Sequence, residues 1–332
     1  AEVTWRRRET GTALCTCLDF ALSEDALCPH VQALQDHLAT QPHTGVPPQV
    51  GSRIGLQHGA RRRLLWLPGS ECPPALDAQA KHLLGGDVLD DQALPRLLRQ
   101  AREAGHDLQV DEAVWSHLAV QRDARWRVHR LQALLPQGPG SDVLKDLRPE
   151  PLLPLQLEGA LFAVCAGRCI LADDVVLQPV QQALAAAALW QRHFGVERVL
   201  VLAPSDQLDR WRRLLPAAAA GWSLTSVERV AGDVALHQNL APELVIVHEP
   251  AAGGLWIDAD RAAALLRLRS AHAIVLPAAD WLSRPAELVL RLAYVDAERS
   301  GAYAALLQAH GQRDDGGLLC GLQGLDTLRA TL

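Results

Sequence analysis

Methionine is absent from all 332 residues. A chain without even the initiator residue reads as processed, as a piece of something longer, or as having modified residues written otherwise. Lysine is almost as scarce. Lys81 and Lys145 are the only two among 32 basic residues, so arginine carries nearly all positive charge, which together with the abundance of Ala and Leu points to a GC-rich bacterial genome. No apolar run approaches the roughly 20 residues that span a bilayer. The N-terminus carries WRRR in place of a secretory leader, so the expected location is cytoplasmic. Positive charge is not in excess either: the formal net charge is −6 with thirteen histidines uncounted. That excludes a global field favouring nucleic acid, and any DNA contact has to come from a local patch.

What is present is ordinary for a globular chain, with 49% hydrophobic and 21% charged residues, and the length suits two or three domains with sizeable cores. Seven cysteines is an odd number, which favours metal ligation or burial over a disulfide framework. Four residues near the N-terminus fit the first of these. Cys15, Cys17, Cys28 and His30 form the pattern C-x-C-x10-C-x-H, followed at once by the helical periodicity of Val31, Leu34 and Leu38. Three thiolates and an imidazole suit a closed, tetrahedral, structural zinc site. His37 and His43 compete as fourth ligand; His30 comes first because Cys28-Pro29-His30 puts both donors on one turn entering the helix. The plainer reading is a set of small buried residues. The pattern, with Asp19-Phe20 and Val31-x-Ala33-Leu34 around it, resembles the SWIM zinc finger.

Further along, Gln41–Gln49 reads as a linker and Gln137–Pro154 as a boundary, both by their proline and glycine content. Arg53–Leu67 reads as a hairpin turning at His58-Gly59. Helical spacing runs over Ala75–Leu83, Asp91–Ala104 and Asp111–Leu135, with Asp91 and Asp111 as candidate N-caps. Within the third of these, Arg122, Arg125, Arg127 and Arg130 with Trp115 and Trp126 are either a nucleic-acid patch or, as we expect, a solvated helix face whose tryptophans pack inward. Beyond the boundary, apolar runs at Val199–Ala203, Leu244–Val247 and Ala273–Leu276 alternate with helical stretches Val180–Phe194, Gln207–Ala219 and Ala259–Leu268. Such alternation predicts parallel strands with crossover helices. Cys165 and Cys169 read as buried thiols, and Cys72 and Cys320 carry no signal.

The stretch Ile170–Leu184, ILADDVVLQPVQQAL, resembles the phosphate loop of bacterial Swi/Snf-type ATPases, which typically reads ILADDMGLGKTIQAL. The loop's glycines fall on Val176 and Gln178, its lysine on Pro179 and its threonine on Val180. Glycines there let backbone N–H groups close around phosphates; the lysine neutralises them and the hydroxyl ligates magnesium. Val176 resists that backbone shape, Pro179 brings neither charge nor N–H, and Val180 has no oxygen. Pro154–Ala163 resembles the family's PYQREGALFA, keeping as Gln156 the glutamine that usually reads adenine. Phe194–Trp211 resembles motif Ia, with Ser205 in place of a threonine. In Leu244–Ala251, His248 stands for the magnesium-binding aspartate, although Glu249 survives at the position of the glutamate that polarises water; a new metal or acid/base site at His248-Glu249 is set against a simply hydrogen-bonded histidine ending a strand. Ile274–Asp280 takes the place of the coupling motif LVLTGTP.

The resemblance implies an α/β fold: a parallel-sheet RecA-like lobe of the P-loop NTPase class over 151–332, an α-rich spacer with a β-hairpin over 43–150, and a SWIM-type zinc finger over 1–42. No second lobe, which would supply an arginine finger, follows. It implies zinc as a structural cofactor, no bound ATP or magnesium, no catalytic residues, no membrane and no small-molecule substrate. The function it implies is that of a catalytically inactive helicase-like binding or scaffold module for a protein partner or DNA; the alternative is the N-terminal part of an ATP-dependent DNA translocase, and a third is regulation of an intact relative by pairing. Ser205, with Arg210, Arg212 and Arg213 on the following helix, is the candidate DNA-phosphate contact, set against an exposed arginine face with no ligand.

Overall fold

The computed structural model describes residues 3–5, 13–15, 28–40, 51–57, 63–84, 92–145, 147–215, 221–232, 239–251, 253–268, 270–278, 285–296, 309–314 and 319–324. They fall into two compact units: Ala1–Arg122 with Glu298–His310 and Gly324–Leu332, and Asp123–Ala297 with Gly311–Gln323.

In the first unit, β1 (Val3–Trp5) and β2 (Ala13–Cys15) pair antiparallel with Val3 opposite Cys15. Helix α1 (Pro29–Thr40) packs on both. The hairpin appears where turn chemistry put it, as β3 (Ser52–Gln57) and β4 (Arg63–Leu67) with Arg53 opposite Leu67; its turn lies outside the described residues. Helices α2 (Pro74–Leu84) and α3 (Ala93–Glu103) bury Leu76, Ala80, Leu84 and Leu94, Leu97, Ala101 at helical spacing against Ile54 and Leu64, each full leucine burial contributing about 1.5–3 kcal/mol. Asp91 lies outside the described residues, and the cap position of α3 is Gln92. A third strand, β5 (Leu108–Val110), pairs parallel to β3. Asp111 follows it directly, and its carboxylate takes the Arg53 guanidinium.

Helix α4 (Glu112–Leu134) starts in this unit, and its second half groups with the next. Its orientation differs from the expected one. Trp115 and Trp126 are 47% and 55% exposed, whereas Arg127 is buried. The reason is a helix terminus. Arg127 donates from Nε to the Cys165 carbonyl and from Nη2 to that of Ala166, the last open carbonyls of α5 (Pro154–Ala166), where a cation also meets the negative end of the helix dipole. Gly167 then turns the chain at φ +78°, and a Cβ there would sit 2.6 Å from Arg127 Nη2.

The second unit is built on a five-stranded, all-parallel sheet ordered β6-β10-β9-β7-β8. The strands are β6 (Arg168–Ile170), β7 (Val199–Ala203), β8 (Trp222–Ser226), β9 (Leu244–His248) and β10 (His272–Leu276). The three central strands are continuous apolar runs because both sheet faces are covered. Helix α6 (Pro179–His193) follows β6, α7 (Leu208–Leu214) follows β7, α8 (Ala259–Arg267) follows β9, and α9 (Pro285–Val295) comes after β10. Of the helix expected over Gln207–Ala219, the described part is α7, which ends at Leu214 with Leu215 extended; residues 216–219 lie outside the described residues. Proline opens α6 at its first position, and the run Ala185–Ala187, good helix formers with small side chains, lets it lie nearly fully buried under Trp190 and Leu189. A short antiparallel pair, β11 (Gly311–Arg313) and β12 (Leu319–Leu322), completes the described residues.

Because every strand of the large sheet points the same way, the chain leaves each of them at one edge. That edge gathers Leu171–Gln178, Pro204–Gln207, His248–Glu249 and Pro277, the place where ligands meet open α/β sheets.

Candidate functional site

At this edge the loop after β6 is a tight turn. Val175–Leu177 form a single 3-10 turn and Gln178 adopts the left-handed conformation at φ 49°. Three of its N–H groups are spent internally. Val176 N–H donates to Asp174 Oδ1 at 3.0 Å, Leu177 N–H to the Asp174 carbonyl and Gln178 N–H to the Val175 carbonyl. A carboxylate of the chain itself therefore sits where an anion receptor would take phosphate oxygens. Val175 and Val176 are 71% and 80% exposed. Beneath them, Gln156 Nε2 donates to the Leu177 carbonyl at 3.2 Å, and Gln182 Nε2 donates to Asp173 Oδ2 at 2.8 Å and to the same carbonyl at 3.3 Å. Gln156 Oε1 also accepts the Leu153 N–H at the start of α5. Both glutamines tie the loop down.

His248 ends β9, largely buried. Trp211 Nε1–H donates to its Nδ1 at 3.0 Å, so the ring proton is on Nε2. Burial, then repulsion from Arg210, pushes its pKa down to about 4, leaving a neutral imidazole at neutral pH. The hydrogen-bonded histidine expected for a strand end is what the structure holds. Glu249 is 2% exposed, and both its oxygens are taken. Oε1 accepts from Arg291 Nε at 2.6 Å and from Trp256 Nε1 at 2.6 Å; Oε2 accepts from Arg291 Nη2 at 2.7 Å and the Ala278 N–H at 3.1 Å. Arg291 Nη2 reaches Glu287 Oε2 as well, and Glu287 Oε1 takes the Gly254 N–H. A carboxylate held by four donors in a dry interior is poorly placed to polarise a water molecule. Ala279 and Asp280 of the expected coupling stretch lie outside the described residues.

Ser205 opens the turn after β7. Its hydroxyl donates to Glu228 Oε2 at 2.7 Å and its N–H to Glu228 Oε1 at 3.4 Å. Burial would raise the Glu228 carboxyl, but hydrogen bonds from Ser205, from its own N–H and from Ser226 hold it below the usual carboxylate range. An incoming DNA phosphate at Ser205 would meet this charge. The arginines on α7 diverge: Arg212 pairs with Asp209 on its own helix, Arg210 is near enough to His248 to lower its pKa, and Arg213 lines a groove with Arg148 and Arg192. The structure thus does not gather Ser205, Arg210, Arg212 and Arg213 around one point.

Of the four zinc candidates, Cys17 lies outside the described residues and Cys15 is described only as backbone, at the end of β2. The other two are close together. Cys28 is buried and its Sγ is 3.9 Å from His30 Nδ1, near the roughly 3.6 Å edge that zinc–sulfur and zinc–nitrogen bond lengths set in a tetrahedron. Val31 N–H donates to that Sγ at 3.4 Å, the kind of outer contact that orients a thiolate ligand. These two residues fit a zinc ion. His37 is on α1 and His43 lies outside the described residues. Elsewhere, burial pushes the Cys169 thiol up to about 12 and raises that of Cys165 despite Arg127 nearby, so both are inert packing groups.

The residues that decide this edge were silent in the sequence. Asp174 accepts an N–H only two residues on, but Glu228 is 23 residues from Ser205, Arg291 is 42 from Glu249, and Trp211 is 37 from His248; no local spacing signals these last three pairs.

No family model and no curated protein matches the chain. Among solved structures it is similar to the Sulfolobus solfataricus SWI2/SNF2 ATPase core in complex with dsDNA, with 16% identity and a TM-score of 0.46 over 55% of this chain and 43% of that one. It is also similar to the Sulfolobus solfataricus SWI2/SNF2 ATPase core domain, with 15% identity and a TM-score of 0.43 over 57% and 44%. The chain spans less than half the length of either. Among the described residues no helix is long and apolar enough to cross a membrane.

Proposed function

We propose that this chain is a Swi/Snf-type helicase-like protein whose RecA-like lobe does not hydrolyse ATP and which acts, with an N-terminal SWIM-type zinc finger, as a cytoplasmic binding or scaffold module. One observation carries the reading. At three places where the family resemblance would put a group acting on magnesium ATP, a partner from the same chain fills the place: Asp174 on the loop N–H, Trp211 on His248, and Arg291 with Trp256 on Glu249. The loop in addition turns two exposed valines outward where a phosphate receptor would offer N–H groups, which favours a protein partner over DNA on this face. Zinc held by Cys15, Cys17, Cys28 and His30 would tie β2 to the start of α1 and supply folding energy there.

Isothermal titration of the purified protein with ATP and magnesium tests the central claim. No saturable heat up to millimolar nucleotide is expected, and micromolar affinity overturns it. Metal analysis run beside it is expected to give one zinc per chain, lost in Cys28→Ser. The alternative, part of an ATP-dependent DNA translocase, draws on Gln156, whose amide still reaches the loop at Leu177. A DNA-stimulated ATPase assay separates the two.

A further inference from the structure

A groove elsewhere on the second unit takes no part in the strand-end edge. It has a volume of 840 Å³ and runs between Leu147–Glu150, the outer face of α6, the end of α7 and the start of β8. That is too large for a single ion and within the range that holds an extended organic ligand or a short stretch of polypeptide. Its floor is apolar, made by Leu184, Ala188, Leu214 and Trp222.

Among the described residues that line it, charge is of one sign but for a single residue. Arg148, Arg192 and Arg213 face one carboxylate, Glu150. Arg148 is held in place: Nε donates to Gln181 Oε1 at 2.9 Å and Nη2 to the Leu214 carbonyl at 3.0 Å, and its Nη1 makes no hydrogen bond among the described residues. Burial lowers its pKa, with only Glu150 acting the other way, so this guanidinium is partly stripped of water without a full counter-charge. Arg213 uses only Nε, on the Asp209 carbonyl one turn back. The molecule carries a net charge of −6, so an acidic partner is repelled by the chain at large and drawn to this local patch. An apolar floor under a cationic rim containing Trp and Arg has the anatomy of a protein interface. Nucleic acid is a poorer fit, because a single aromatic ring on an aliphatic floor offers no series of stacking platforms.

We propose that this groove binds an acidic segment of a partner protein, seating an apolar side chain on Leu184, Ala188 and Trp222 and carboxylates on Arg148, Arg192 and Arg213. The assignment stands whether or not the chain hydrolyses ATP.

Fluorescence polarisation on the full chain tests it with three labelled probes at physiological salt. They are a synthetic peptide of Glu and Leu at helical spacing, the same peptide with Lys for every Glu, and a single-stranded DNA oligonucleotide of equal charge. The Glu/Leu peptide is expected to bind saturably and the Lys peptide not at all, with the oligonucleotide weaker than the first. Arg192→Glu with Arg213→Glu is expected to weaken the Glu/Leu peptide by roughly tenfold or more, while Arg229→Glu, an exposed site outside the groove, leaves it unchanged. Should the double variant melt early, Arg213→Glu alone, on an exposed residue at the end of α7, is measured in its place. No saturable binding of the Glu/Leu peptide, equal binding of the Lys peptide, tighter binding of the oligonucleotide, or indifference to the substitutions each overturns the proposal.

Discussion

Arg291 holds Glu249 and Glu287 at once with no exposed surface on any of the three side chains. Removing it takes the guanidinium from two buried carboxylates, so Arg291→Met is expected to cost about 3–5 kcal/mol in urea titration. Arg291→Lys keeps the charge but not the fork that meets both Glu249 oxygens, and should fall between. The near-absence of lysine makes sense at this scale. Arg127 closes the end of α5, and Arg168 bonds the carbonyls of Ser270, Tyr294 and Val295 while stacking on the Tyr294 ring; an ammonium could not span such sets of carbonyls. Buried histidines give the chain a pH dependence, His248 and His272 most strongly among the described residues. Burial holds His248 and His272 near a pKa of about 4, helped by Arg210 for the first and by Arg127 and Arg168 for the second. Unfolded histidine titrates near 6.5, so between these values the unfolded chain binds more protons. Stability is full above pH 6.5 and falls as pH drops towards 4, by up to about 3 kcal/mol for each histidine. His272 stacks on Trp190 at 4.9 Å; His272→Phe keeps the ring, and its melts from pH 7 to 4.5 should show a shallower slope than wild type, with His248 and the likewise lowered His193 keeping a part of it.

Between elements, the crossing of α5 on α6 depends on the absence of one atom. A Cβ on Gly159 would lie 1.8 Å from Gln182 Oε1. Alanine normally stabilises a helix interior by about 1 kcal/mol over glycine, yet here Gly159→Ala must displace an amide that holds Asp173 and Leu177. A net loss of about 1–3 kcal/mol in thermal melts is expected, and the double variant with Gln182→Ala should cost less than the two singles summed. How far the elements were legible follows from burial. Helices α2, α3, α6 and α8 and strands β7, β9 and β10 bury enough apolar side chains to print their period on the sequence. Strand β8, WSLTS, is a half-buried edge with polar alternation, and β5 is three residues wedged before Asp111; neither carries a run long enough to read. Trp115 and Trp126 misled because size was taken for inwardness, whereas the α5 carbonyls drew Arg127 inside. At the strand-end edge the departures from the family resemblance at Val176, Pro179, Val180 and His248 are legible because each falls inside a short stretch that carries that resemblance. The replacements that fill the gaps are tertiary contacts, and the groove arginines, spread over 148, 192 and 213, are gathered only by the fold.

For the whole molecule, the arrangement around Glu249 bears on what could be rebuilt. A variant with Val176→Gly, Gln178→Gly, Pro179→Lys, Val180→Thr and His248→Asp regains the phosphate-loop chemistry, and Gln178→Gly relieves a backbone at φ 49° that glycine adopts freely. Measurable nucleotide affinity is expected for it, with phosphate release in a colorimetric assay staying at background. The carboxylate such a variant would need is a rivet of the interior, and drawing it out unfastens β9 from α9. Building activity into this body would then run against a ratchet: no single substitution confers an advantage, and the last one weakens the body that all the others require.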